Sequence, residues 1–279
     1  MAGKVSSADY GYLRRVVLAR SHNLLDPSRN FLFDAKLAQL VRNRGLDDLH
    51  ELVERMRRGH DPQLESAVAD AMTVNETSFF RDSRPFELLR MELLPELIAA
   101  RRGTHALRLW SAACSTGQEA YSLAILMREH FHMLAGWRIR IEGTDLCREV
   151  LERAKAASYE RIEVNRGLPA RCLAKYFDRT GERWVVKPAI RDLCTFRQMN
   201  LADTPLQIGQ RFDVILMRNV MLYFGPQARR TVMAEAHRLL AHDGVLIMGA
   251  TEQPPEKSLW KAAIACGTCY FRPMKARAA

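Results

Sequence analysis

The chain has 279 residues, a formal net charge of +10 and 48% hydrophobic residues. This length allows one large domain or two unequal domains with a sizeable core, and no apolar stretch of the sequence reaches membrane-spanning length. The N-terminus also lacks the apolar segment of a secretory signal, so we expect a cytoplasmic protein. The positive charge favours a polyanionic partner, either nucleic acid or an acidic protein surface.

Apolar residues at helical spacing dominate the first quarter of the chain. Between residues 8 and 72 they recur three and four positions apart, as in Leu37, Leu40 and Val41. We therefore expect a small helical bundle that forms an N-terminal domain over residues 1–72.

From residue 104 onward, apolar strands alternate with helices, which predicts an α/β fold with a doubly wound, mostly parallel sheet in a second domain, residues 73–279. The expected strands read ALRLWSA, RIRIEGTD, CTFRQMNL, FDVILMRNV and GVLIMGATE. Residues 159–193 interrupt this alternation, and we expect a β insertion there with a hairpin around Thr180-Gly181. The C-terminal PMKARAA is expected to be a frayed basic tail.

The loop at residues 112–117, which follows the first strand, consists of small residues. Small side chains there let a ligand approach the backbone at the start of the next helix. The G-x-G-x-x-G pattern of dinucleotide sites is missing, and Glu119 in the first helical turn would repel a pyrophosphate. The loop therefore favours a smaller ligand with a positive end.

Ligands of parallel sheets bind beyond the carboxyl ends of the strands. The residues expected there are Asp145, Asn200, Leu201, Arg218 and Asn219. Asp145 suits the two hydroxyls of a ribose, but it equally suits the cap of the following helix. A polar cluster near the domain boundary contains Asn75, Thr77 and Arg81, of which the first two are also candidate helix caps.

Cysteines give no metal-site pattern. The six cysteines are dispersed, which favours reduced thiols, and a single C-x-x-C pair at Cys266 and Cys269 is too small a ligand set for zinc.

Four segments together resemble the motifs of one protein family. WSAACSTGQEAYS, GTDLCREVLERA, FDVILMRNVMLYF and NETSFFR are similar to those of the chemotaxis receptor glutamate methyltransferases, the CheR family. The resemblance implies a class I methyltransferase fold, Rossmann-like with a seven-stranded sheet, a small all-α N-terminal domain and a small β insertion. It also implies S-adenosylmethionine as the cofactor, with S-adenosylhomocysteine as the product.

The resemblance implies a role for each polar residue. Arg81 and Tyr223 would lie beside the transferring methyl group as the catalytic residues. The implied cofactor-binding residues are Asn75, Thr77, Arg81, Glu119, Asp145, Asn200, Leu201, Arg218 and Asn219. No metal is implied.

The implied substrate is a glutamate carboxylate on the methylation helices of a chemoreceptor. Glutamate, with a reference pKa of about 4.3, is already a nucleophile at neutral pH, so the enzyme needs no general base. The implied docking residues of the helical domain are Lys36, Arg42 and Arg44. The hairpin DRTGERW is shorter than the loop with which some relatives grip a receptor's C-terminal pentapeptide. We therefore expect an enzyme that needs no such tether. We also expect a monomer that does not insert into membranes.

Three alternative functions account for less of the sequence. A nucleic acid methyltransferase would suit the charge and the fold, but Arg218-Asn219-Val220-Met221 replaces the N-P-P-Y-like turn of amine-methylating enzymes. An inactive receptor-binding or cofactor-sensing module is disfavoured because the motif residues Arg81, Asp145, Asn219 and Tyr223 are all present. The missing glycines disfavour an NAD-dependent oxidoreductase.

Overall fold

The chain divides into two compact units in the computed structural model, which describes residues 5–59 and 61–274. The helical unit comprises Met1–Val74 and Tyr223–Ala228, and the α/β unit comprises Asn75–Leu222 and Arg229–Ala279. Of the tail expected to fray, residues 275–279 lie outside the described residues. None of the described helices is long and apolar enough to cross a membrane.

The helical unit is built on amphipathic helices, as the apolar spacing predicts. The helices are α1 (Ser7–Ser21), α2 (Phe31–Asn43), α3 (Leu49–Gly59) and α4 (Pro62–Ala71), with a 3-10 turn at Pro27–Arg29. Each helix turns its apolar stripe inward, so that Leu13, Leu37, Leu52 and Leu64 are fully buried in one shared core.

Lys36, one of the docking residues implied by the resemblance, makes structural contacts within the helical unit. Its Nζ donates to the Thr73 carbonyl at 2.5 Å and to the Met72 carbonyl at 3.5 Å, just beyond the end of α4. Burial lowers the pKa of this ammonium group. Arg42 and Arg44 remain candidates for docking because both are exposed.

The α/β unit contains a main sheet and a smaller one. The strands are β1 (Ala106–Ala112), β2 (Arg138–Asp145), β3 (Ser158–Glu160), β4 (Phe177–Thr180), β5 (Arg183–Val186), β6 (Cys194–Gln198), β7 (Phe212–Met217), β8 (Leu240–Met248), β9 (Trp260–Ala265) and β10 (Thr268–Pro273). The seven-stranded main sheet has the order β6-β2-β1-β7-β8-β10-β9. Strand β10 pairs antiparallel with β8 and β9, and the other neighbours are parallel. The predicted mostly parallel seven-stranded sheet is therefore confirmed.

Helices fill the connections between these strands. They are α5 (Arg84–Leu88), which continues through a π-helical turn (Leu89–Leu93) into α6 (Leu94–Ala100), then α7 (Gln118–His130), α8 (Arg148–Ala156), α9 (Arg161–Asn165), α10 (Ala170–Tyr176), α11 (Pro188–Arg191) and α12 (Pro226–Leu239). Further 3-10 turns lie at His132–Leu134, Met221–Tyr223 and Lys257–Leu259. All six residues of β7 are buried, as expected for a strand covered on both faces.

The β insertion forms a three-stranded antiparallel sheet in the order β3-β5-β4. Thr180 pairs with Arg183, so the hairpin turns at Gly181 and Glu182, one residue later than predicted. Gly181 has a φ of +60°, a conformation that glycine adopts without a steric penalty.

A charged cluster joins the end of α6 to the central strands. Arg101 donates through Nε to Asp213 at 2.7 Å, and through both terminal nitrogens to Asp243 at 2.7 and 2.6 Å. Hydrogen bonds from Arg101 to Asp243, together with the charge of Asp213, raise the pKa of the guanidinium above its usual value. The Asp213 side chain is 9% exposed, so this ion pair is largely shielded from water.

Replacing Arg101 with methionine is expected to lower the free energy of unfolding by about 3 kcal/mol, because it leaves the buried Asp213 carboxylate and the half-buried Asp243 carboxylate without their counterion. All four tryptophans lie in the α/β unit, so urea unfolding followed by tryptophan fluorescence reports on this region. Arg102→Met is the matched control because Arg102 is exposed. Equal unfolding midpoints for the two variants would contradict the prediction.

Candidate functional site

The candidate site lies at the carboxyl ends of β2, β1 and β7, which are neighbours in the sheet. Because these strands are parallel, the loops that follow them meet at one edge. The sequence placed the small-residue loop, Asp145, Arg218 and Asn219 at this edge, and the structure brings these segments together.

The loop after β1 has an unusual backbone. Ala113, Ser115 and Gly117 all have positive φ values, of 60°, 51° and 91°. Such conformations cost non-glycine residues free energy and are common at functional sites. The Ser115 Oγ donates to the Asn75 carbonyl at 2.7 Å, which ties this loop to the NETSFFR segment.

Asp145 is buried at the end of β2 and holds two loops. Its Oδ2 accepts from the Ser115 N–H at 2.8 Å, and its Oδ1 accepts from the Cys147 N–H at 3.0 Å. Burial raises the pKa of this carboxyl, against the effect of the backbone hydrogen bonds. Cys147 itself is the cap residue of α8, so Asp145 braces the loop instead of capping the helix directly. Each carboxylate oxygen keeps accepting capacity for a hydroxyl.

Glu119 and Arg218 form a nearly buried ion pair at the site. Arg218 donates to Glu119 Oε2 at 2.9 Å, and the Ser111 hydroxyl donates to Oε1 at 2.8 Å. Arg218 also donates to the Asp82 carboxylate at 2.7 Å and to the Arg81 carbonyl at 2.8 Å. Its side chain is only 2% exposed, and this guanidinium links the first turn of α7, the end of β7 and the NETSFFR segment.

Arg81 lies in a strained stretch of backbone. Phe80, Asp82 and Ser83, on either side of it, have positive φ values of 46°, 62° and 35°. The Phe80 N–H donates to the Ser122 hydroxyl of α7 at 2.9 Å, which anchors the stretch. Arg81 itself is half-buried and donates to the Glu76 carbonyl at 2.9 Å. Strain retained on both sides of a single arginine marks it as a functional candidate.

The remaining predicted residues lie in three places. Asn200 and Leu201 follow β6, and their loop is joined to β2 by a hydrogen bond from the Met199 N–H to the Asp145 carbonyl at 2.8 Å. Thr77 is half-buried in the NETSFFR segment. Tyr223 ends a 3-10 turn and belongs to the helical unit, so its place beside a methyl group stays a prediction.

The β insertion supports the site through residues that the sequence analysis did not single out. The fully buried Tyr159 donates its hydroxyl to the Thr116 carbonyl at 2.7 Å. Gly167 has a φ of +92°, and a Cβ there would overlap the Phe79 carbonyl. The Phe79 ring also packs edge-on against Tyr159 at 5.1 Å. No local sequence pattern indicates these contacts, because they join segments far apart in the chain.

The chemistry of the site fits S-adenosylmethionine. Asp145 and Glu119 place two carboxylates at this edge of the sheet, which suits a ligand with hydroxyl groups and a cationic end. Arg218 Nε is buried and has no hydrogen-bond partner among the described residues, so a polar ligand group would satisfy it. The fold and this site define a class I methyltransferase that uses S-adenosylmethionine.

The match to one family is specific. Residues 75–268 match the family described as CheR methyltransferase, SAM binding domain. The chain therefore belongs to the CheR methyltransferase family.

Several proteins of this family are similar along most of their length. Chemotaxis protein methyltransferase 1 of Pseudomonas aeruginosa is 39% identical over 251 residues, which cover 88% of this chain and 90% of that protein. Chemotaxis protein methyltransferase Cher2 of Pseudomonas putida is 39% identical over 82% of this chain and 84% of its own. The Vibrio parahaemolyticus chemotaxis protein methyltransferase is 34% identical over 89% of this chain and 90% of its own.

Proposed function

We propose that this protein is a protein-glutamate O-methyltransferase that esterifies glutamate side chains of chemoreceptors during chemotactic adaptation. The observation that carries the proposal is the similarity along nearly the whole chain to relatives named chemotaxis protein methyltransferases. The arrangement of Glu119, Asp145 and Arg218 at the carboxyl ends of the strands supports the proposal.

The proposed reaction needs positioning more than acid-base catalysis. Bound S-adenosylmethionine supplies an electrophilic methyl group, which a glutamate carboxylate oxygen accepts to give a neutral methyl ester and neutral S-adenosylhomocysteine. The chain's task is to align the carboxylate and exclude water, and such alignment is worth on the order of 7 to 11 kcal/mol. No residue has to remove a proton from the acceptor.

Arg81 is the proposed guide for the acceptor carboxylate. Its guanidinium donates to one carbonyl, that of Glu76, within the described residues, so further N–H groups are available to the substrate. A single hydrogen bond would orient the nucleophile, whereas a tight bidentate grip would stabilise the ground state and slow the transfer. Tyr223 is proposed as the second group beside the methyl.

We propose the following contacts with the cofactor. Asp145 would hold the ribose, Glu119 the methionine ammonium, and Asn200 with Leu201 would line the adenine. Asn75, Thr77 and Arg81 would cover the methionine end, while Arg218 and Asn219 close the pocket. The charge network around Arg218 supports these roles because it holds Glu119 in one orientation.

Mass spectrometry of a chemoreceptor cytoplasmic fragment tests the proposed substrate. After incubation with the enzyme and S-adenosylmethionine, we expect methyl esters on glutamate side chains of the receptor's helices. Methylation of lysine or arginine instead, or of nucleic acid supplied in a parallel reaction, would contradict the proposal.

We further propose that the enzyme works without a receptor tether, because the β4–β5 hairpin turns through only Gly181 and Glu182. Isothermal titration with a pentapeptide from the C-terminus of a chemoreceptor is expected to give no binding at micromolar concentrations. S-adenosylhomocysteine titrated into the same sample is the positive control. Saturable micromolar binding of the peptide would refute tether independence.

A further inference from the structure

A buried carboxylate outside the predicted site holds the turn after β7. Glu252, which follows β8, is 9% exposed. Its Oε2 accepts from the backbone N–H groups of Asn219 at 2.7 Å and Gly249 at 2.8 Å, and its Oε1 accepts from that of Leu222 at 3.2 Å. One side chain therefore fixes the turn from Asn219 to Leu222 against the loop after β8.

The carboxylate supports a turn whose first residue has a left-handed backbone. Asn219 has a φ of +59°, in the left-handed region that few non-glycine residues occupy. A hydrogen bond from its N–H to a carboxylate is charge-assisted and holds that conformation. Without the carboxylate, three N–H groups would lose their acceptor at once, and that of Gly249 is buried.

Gly249 completes the arrangement. A Cβ at this position would lie 2.6 Å from Glu252 Oε2, and 3.0 and 3.1 Å from the backbone nitrogen and Nδ2 of Asn219. The Glu252 N–H also donates to the Gly249 carbonyl at 2.9 Å. The missing side chain thus lets the Asn219 side chain and the Glu252 carboxylate pack on the same stretch of backbone.

We propose that Glu252 is a positioning residue for the cofactor. It acts through the backbone of Asn219 and presents the Asn219 side chain at the carboxyl edge of the sheet. The inference rests on the cofactor role proposed for Asn219, and it is independent of which methyl acceptor the enzyme uses.

The test variant is Glu252→Gln, which keeps the shape of the side chain. An amide has one acceptor oxygen, and its NH2 group would face at least one of the three N–H donors. We expect a folded protein whose dissociation constant for S-adenosylhomocysteine, measured by isothermal titration, rises about tenfold. Glu256→Gln removes the same charge at an exposed position four residues away and is expected to bind like the wild type.

A double-mutant cycle separates positioning from general destabilisation. In the Asn219→Ala background, Glu252→Gln is expected to change the dissociation constant less than about twofold, because the group it positions is gone. A purely structural role would lower the melting temperature and leave the affinity of the folded fraction unchanged. Additive losses of affinity in the double variant, or wild-type affinity in Glu252→Gln, would overturn the inference. This titration measures cofactor binding and needs no methyl acceptor. Its result is therefore independent of whether the enzyme methylates chemoreceptors.

Discussion

Arg81→Ala is expected to lower the rate of methyl transfer about a hundredfold while the protein stays folded, because misplacing a reacting group by an ångström costs about that much. The side chain is half-buried and donates to the Glu76 carbonyl, so its removal disturbs few contacts. The affected quantity should be kcat, since the proposed role is to align the acceptor carboxylate. Steady-state transfer to a receptor fragment at saturating cofactor measures it.

Arg161→Ala is the matched control for that experiment. Arg161 is exposed at the start of α9, in the β insertion, and its removal changes the net charge equally. We expect wild-type rates from this variant. An Arg81→Ala enzyme that also kept wild-type rates would remove Arg81 from the proposed mechanism.

Asp145→Asn is expected to weaken binding of S-adenosylhomocysteine about a hundredfold. An amide has one acceptor oxygen, whereas the carboxylate uses both oxygens to hold the N–H groups of Ser115 and Cys147. In the variant, the NH2 group would face a backbone N–H donor, and no hydrogen bond would form between them. The variant would also lose acceptors for the ribose. Each of these losses is worth about 1 to 3 kcal/mol, which together account for the expected effect.

Isothermal titration measures this effect directly. Asp192→Asn, at an exposed residue after α11, is the control and is expected to bind like the wild type. If Asp145→Asn bound the ligand with wild-type affinity, the carboxyl would serve only to brace the two loops.

The sequence predicted the central strands well because buried strand positions are occupied by apolar residues, which can be recognised in the sequence. Strands β1 and β2 span the predicted residues, Ala106–Ala112 and Arg138–Asp145, and the last three residues of each are buried. The hairpin of β9 and β10 was not predicted. Most residues of β9 are exposed or half-buried, so no apolar run marks it.

The roles of individual side chains were harder to predict than the helices and strands. Helical spacing does not reveal that Lys36 turns inward to carbonyls beyond α4, because that contact depends on residues 36 and 37 positions away. The left-handed backbone of Ala113 and Ser115 is equally unpredictable, since neither residue type favours it locally. Glu252 went unnoticed although a carboxylate after a central strand was a usable signal.

The unpredicted contacts share a physical cause. Tyr159, Ser122 and Glu252 each use a side chain to satisfy a backbone group of a distant loop. Buried backbone groups must find partners, and loops at a ligand site cannot find them within regular secondary structure. Their partners are side chains that the fold brings close from distant parts of the chain, so local sequence does not predict them.

Transfer of tritiated methyl from S-adenosylmethionine to membranes that contain chemoreceptors tests the central claim most directly. The account predicts label in the receptors that mild base releases as methanol, because carboxyl methyl esters are base-labile, with wild-type enzyme and not with Arg81→Ala or Tyr223→Phe. Base-stable label, label in nucleic acid, or tight cofactor binding without transfer to any receptor would contradict it.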